Sequence, residues 1–126
     1  MSKLDDVISE VRRVAAERPD YVYVNPEGEK ATPDGSVTCA YYTEDGCPSC
    51  IIGFGAAPLL TEDERKAEVY NGSGADVFIR NNIPGLSREE NASQKLNWLR
   101  RVQWYQDHGT PWGEAVWHAD RAFPNV

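Results

Sequence analysis

No stretch of the chain approaches the ~20 consecutive apolar residues that a bilayer-crossing helix requires, and the opening Met1-Ser2-Lys3-Leu4-Asp5-Asp6 has no apolar leader core. A cytoplasmic protein without membrane partners is expected. Cysteine is scarce: Cys39, Cys47 and Cys50 are an odd number and too few for a disulfide scaffold, so reduced thiols or a metal site are the options. Also missing are G-x-S-x-G, H-E-x-x-H, the P-loop and G-x-G-x-x-G, and Gly53-Phe54-Gly55 has neither a third glycine nor a preceding apolar strand. No catalytic residue and no cofactor is therefore assigned.

Basic residues are in deficit, 13 against 20 acidic, for a net charge of −7. Residues 1–76 hold seven basic and fifteen acidic residues, hence −8, and residues 77–126 six and five, hence +1. A field of that sign opposes the counterion exchange on which nucleic-acid binding depends. A nucleic-acid-associated regulator is the weakest of the functional classes considered, because Arg88, Lys95, Arg100 and Arg101 point in several directions around their helix. What is present is ordinary for a soluble globule: 126 residues, 40% hydrophobic and 26% charged, a size suited to one domain over 1–126.

Helical spacing of Leu4, Val7, Ile8, Val11, Val14 and Ala15, with Ser2 and Asp5 as a cap, predicts an amphipathic first helix closed by Pro19. Tyr21 to Val24 and Val37 to Tyr42 read as two strands paired antiparallel, since the polar link between them is too short for a crossover helix. Cys47-Pro48-Ser49-Cys50 reads as a turn feeding a helix through Ala57. A capping box of Thr61 with Glu64 starts a short helix from Glu62 to Tyr70. The segment from Ala75 to Asn81 is ambiguous and is assigned to helix because no strand partner follows. Ser87 is read as the cap of a long helix to His108, with Thr110 and Pro111 opening a final helix to about Phe123. The expected fold is α+β, mostly helical, with a small antiparallel β-hairpin and a C-terminal helical pair.

At 100° per residue the long helix places Ala92, Leu96, Trp98, Leu99, Val102 and Tyr105 on one half. Trp104 falls opposite, near Asn97, Arg100, Arg101 and His108. In the last helix Trp112, Val116, Ala119 and Phe123 share a stripe, and Trp117 lies off it beside Glu114 and Arg121. Tryptophan and arginine are enriched at binding hot spots, so Trp104, Trp117, Arg100 and Arg101 form a candidate partner-binding surface. The other reading packs these rings against the N-terminal helix or the hairpin.

A C-x-x-C at a helix start suits a redox dithiol, but no βαβ context accompanies Cys47 and Cys50. Cys39, Cys47 and Cys50 with His108 or His118 would make a Cys₃His zinc set, at a spacing that matches no established finger. The competing explanation takes Cys39 as a small buried hydrophobe, His108 as a partner of the helix C-terminal dipole, and the paired carboxylates Asp63-Glu64 and Glu89-Glu90 as first-turn residues.

Two stretches carry a resemblance. Cys50-Ile51-Ile52-Gly53 and the pattern V-Q-x-x-Q-D-x-G-x-x-W-x-x-A-V over residues 102–116 are similar to small proteins of unassigned function encoded by actinobacteria and their bacteriophages. The resemblance implies such a genomic setting and, for a phage protein, the host cytoplasm. It implies no reaction. Within the pattern, Gly109 is suited to a left-handed cap, and Gln106-Asp107 to satisfying backbone groups at a helical corner. The function expected is a non-enzymatic acidic interaction module that binds another protein or a second copy of itself and modulates a host process. A small zinc or thiol protein using the three cysteines is the alternative.

Overall fold

A computed structural model of the chain describes residues 2–24, 40–68 and 74–126. Its elements are α1 (Lys3–Glu17), α2 (Ile51–Ala56), α3 (Glu62–Ala67), α4 (Ala75–Asn82), α5 (Ala92–Asp107) and α6 (Trp112–Ala122), with 3₁₀ turns at Ala57–Leu59 and Leu86–Arg88. Each predicted apolar residue of α1 is buried, and Ser2 accepts the Asp5 amide as its cap. Burying a Val, Leu or Ile is worth about 1.5–3 kcal/mol, so this one face makes α1 a principal wall of the core. α1 packs on α2, and α5 lies between α4 and α6.

Among the described residues there is no strand, which overturns the α+β expectation and its hairpin. Residues 21–24 form no ladder: the Trp112 amide donates to the Tyr21 carbonyl at 2.9 Å, the Gly113 amide to the nearby Pro19 carbonyl at 3.0 Å, and toward the other expected strand the Ala40 amide donates to the Tyr23 hydroxyl at 2.9 Å. The segment supports the start of α6 instead of a second strand. In the other half of the expected hairpin, Ala40, Tyr41 and Tyr42 are all buried. Three consecutive buried side chains contradict the two-residue alternation of a one-faced strand. This segment folds back on residues 47–50 through a single antiparallel bridge between Tyr42 and Pro48, with Ser49 donating to the Tyr41 carbonyl at 3.0 Å. Val37 to Cys39 lie outside the described residues.

Other boundaries shift. Ser87 lies in the 3₁₀ turn Leu86–Arg88, and α5 begins at Ala92 after Asn91, which takes a positive φ of 59°. The final helix starts one residue later than expected, with Pro111 as its cap. The capping box at Thr61 is present, with Glu64 donating its amide to Thr61 Oγ1 at 3.2 Å and accepting the Thr61 amide at 2.9 Å. That helix ends at Ala67, and residues 69–73 are outside the described set. The ambiguous segment is helical, with Phe78 stacked on Tyr41 at 3.9 Å.

Four of these helices have no side-chain cap hydrogen bond of their own, α2 and α4 among them. Cys50 and Gly74 precede α2 and α4 without a capping hydrogen bond. α5 supplies both caps from afar. The Ile51 amide donates to Gln106 Oε1 at 2.8 Å, and the Ala75 amide to Gln103 Oε1 at 2.6 Å. Gln103 also donates to the Tyr41 hydroxyl at 2.7 Å, and Gln106 Oε1 accepts the Trp112 indole N–H at 3.2 Å. One turn of α5 thus fixes α2, α4 and α6 together, because a buried helix start needs acceptors for its free amides. Close approach does the rest. A Cβ at Gly53 would overlap the Tyr41 carbonyl, and one at Gly55 would run into Val7 and Val11 of α1.

α6 is locked to the rest by Asp120, which accepts the Trp98 indole N–H at 2.9 Å and pairs with Arg12 of α1 at 2.8 Å. Burial opposes charge on Asp120, but the Arg12 guanidinium and the Trp98 indole outweigh it and hold the carboxyl below its ordinary range.

Candidate functional site: the aromatic face of α5 and α6

The inward half of α5 is filled by Leu96, Trp98, Leu99, Val102, Gln103 and Gln106. What remains outward is the stripe Asn97, Arg100, Arg101 and Trp104, spaced three or four residues apart on one side of the helix. On α6 the stripe Glu114, Trp117 and Arg121 is outward in the same way. Gly109, with a φ of 86°, turns the chain between the helices in a conformation that side chains disfavour. The short corner sets the two stripes next to each other.

Trp98 and Trp112 are fully buried, whereas Trp104 and Trp117 are 52% and 53% exposed. Neither exposed ring is sealed against α1 or the 21–24 segment. They are linked by other rings. Trp104 stacks on His108 with centroids 3.9 Å apart and meets Tyr105 edge to face at 5.0 Å. Tyr105 stacks on His118 of α6 at 4.4 Å and 11°. His118 meets Trp117 edge to face at 5.0 Å, and the Arg121 guanidinium lies 4.7 Å over the Trp117 ring. The result is a continuous ladder from His108 through Trp104, Tyr105, His118 and Trp117 to Arg121. Rings held by neighbours have already lost much of their rotational freedom, so covering them costs less entropy than ordering free side chains.

At the Trp104 end, Asn97, Arg100, Arg101, Trp104 and Phe123 line an open groove of about 310 Å³. Arg101 sits over the Phe123 ring, its guanidinium carbon 6.0 Å from the centroid. Among the described residues neither Arg100 nor Arg101 has a carboxylate partner. The structure therefore brings three of the four sequence candidates, Arg100, Arg101 and Trp104, to one groove. Trp117 stands at the far end of the ladder.

Tyr105, His118, Arg121 and Phe123 were missed as members of this surface. The sequence places Tyr105 on the core half of its helix, His118 in the candidate zinc set and Phe123 in the apolar stripe of the last helix. Some of the signal was legible: Trp104 with His108 and Trp117 with Arg121 are four residues apart, which places each pair on one helix face. The Tyr105–His118 stack was not, since it depends on the angle at Gly109.

Cys47 is exposed and Cys50 is buried at the start of α2, while Cys39 is outside the described residues. Among the described residues no three His, Cys, Asp or Glu side chains cluster as metal ligands. His108 and His118, the proposed fourth ligand, are engaged in ring stacks on the opposite helices. Of the basic residues considered for nucleic acid, Lys95 is paired with Asp5 at 2.8 Å.

Beside the ladder, Asp107 ends α5 and accepts the Gln106 side-chain amide at 3.0 Å. Burial pushes its carboxyl up to about 7, against smaller opposing effects of Gln106 and His108. No described helix is long and apolar enough to cross a membrane. No family model matches the chain, and no curated protein or solved structure matches it either.

Proposed function

We propose that the chain is a non-enzymatic protein-interaction module whose contact surface is the aromatic face of α5 and α6, with Trp104, Trp117, Arg100 and Arg101 as its main anchors. The observation that carries this reading is the contrast among four tryptophans. Two are wholly internal, and two stand half in water on adjacent helices, joined by stacked rings. An indole with its face to water forgoes the burial that its size rewards, and tryptophans left in this state are the type most often found at the energetic centre of interfaces. The resemblance over residues 102–116 supports an actinobacterial or phage setting, where such a module would act on a host process in the cytoplasm.

The test combines capture from a lysate of the encoding organism with light scattering on the eluted protein. Trp104→Ala and Trp117→Ala are expected to lose a species that wild type retains, whether a different protein or a second copy, without loss of folding. Identical capture and identical mass for all three proteins would contradict the assignment.

A further inference from the structure

We propose that the groove lined by Asn97, Arg100, Arg101, Trp104 and Phe123 receives an acidic peptide segment of a partner protein, with its carboxylates on Arg100 and Arg101 and its apolar part on Trp104. This rests on the α5–α6 face being the contact surface and adds the chemistry of what it contacts.

The groove brings together two guanidinium groups, Arg100 and Arg101, that lack a carboxylate among the described residues. Neighbouring like charges repel, and an anion placed between them relieves the repulsion. A guanidinium forks to a carboxylate through two parallel hydrogen bonds, and the exposed indole beside it offers a flat apolar surface. Asn97 adds an amide that can pair with a peptide backbone.

Two other occupants fit worse. A nucleic acid needs a track of cations to displace its counterions, but Lys95 is tied to Asp5 and the chain carries −7 overall. A few carboxylates need only the local field, since charges beyond ~8 Å are screened at physiological salt. A second copy docked by a two-fold axis through this groove would set guanidinium against guanidinium.

The experiment is a calorimetric titration of the whole chain with a short capped peptide of glutamates around a central leucine, and with its glutamine counterpart. Wild type is expected to bind the glutamate peptide at least about tenfold more tightly, as follows from losing one or two charge-assisted hydrogen bonds. Arg100→Gln with Arg101→Gln, and separately Trp104→Ala, should weaken it by a similar factor, with affinity falling as salt rises. Equal affinity for both peptides, with dependence on Trp104, would overturn the acidic chemistry and leave the contact face standing. No binding of the glutamate peptide, or binding indifferent to the arginine substitutions, would overturn the proposal outright. So would tighter binding of a single-stranded oligonucleotide, or self-association that the arginine substitutions abolish.

Discussion

Gln106 and Ile51 are 55 residues apart in the chain, and the Gln106 side-chain oxygen accepts the Ile51 amide at 2.8 Å. The same oxygen takes the Trp112 indole N–H, so one fully buried glutamine joins α2, α5 and α6. The aromatic face exists because this joint sets α6 against α5.

Gln106→Ala should therefore lower unfolding free energy by about 2–3 kcal/mol, because it leaves two buried donors without an acceptor. Gln103→Ala should behave similarly through the Ala75 amide and the Tyr41 hydroxyl. Guanidinium denaturation followed by circular dichroism checks both. A change below about 0.5 kcal/mol, typical of surface positions, would show that the caps are not structural.

A second prediction concerns Gly53, where an added Cβ would strike the Tyr41 carbonyl, a backbone atom that cannot swing away. Gly53→Ala is expected to destabilise by more than about 3 kcal/mol or to prevent folding, as overpacking against a fixed neighbour does. Thermal denaturation of the purified variant beside wild type measures it.

The legible parts of this fold were the ones encoded locally. Apolar residues recurring along α1, Thr61 with Glu64, and Gly109 before a Thr-Pro each act within a turn or two of their own position. The hairpin failed for the complementary reason: Tyr21–Val24 and Tyr41–Tyr42 have strand-like composition, but the backbone of Tyr21 pairs with α6 and that of Tyr41 with the 47–50 turn, and the two segments meet through the Tyr23 hydroxyl and the Ala40 amide. Gln103 and Gln106 were hidden likewise. A glutamine inside an apolar stripe gives no sign that the helix starts it caps lie 28 and 55 residues away. For the contact face, the outward positions of Trp104 and Trp117 followed from helical geometry, whereas the ring ladder between them required the corner angle.

Asp107 should make stability depend on pH in an unusual direction. Its carboxyl is pushed by burial to about 7 from an ordinary 3.8, and the end of α5 offers no basic side chain in its last turn. The folded state thus holds this proton more tightly than the unfolded state, so its contribution falls as pH rises from about 4 through 7. Asp107→Asn keeps an acceptor for Gln106 and cannot ionise. The variant should gain stability over wild type progressively across that window and be the more stable protein at pH 8. Denaturation midpoints at pH 5 and pH 8 decide it, and a constant difference between the two proteins would refute the prediction.

The four tryptophans should separate into two classes by stability. Trp98→Ala and Trp112→Ala empty core positions and should cost about 3–5 kcal/mol. Trp104→Ala and Trp117→Ala should each cost about 1 kcal/mol or less, comparable to losing one ring contact. Melting curves of the four variants provide the comparison, and large losses at Trp104 or Trp117 would assign those rings to the fold.

The most direct test of the contact face is acrylamide quenching of tryptophan emission, in the free protein and in complex with whatever binds to wild type but not to Trp104→Ala. The account predicts that Trp104 and Trp117 supply the readily quenched emission in the free chain and are shielded in the complex, with Trp98 and Trp112 protected throughout. A quenchable fraction that stays the same when the partner is bound would contradict it.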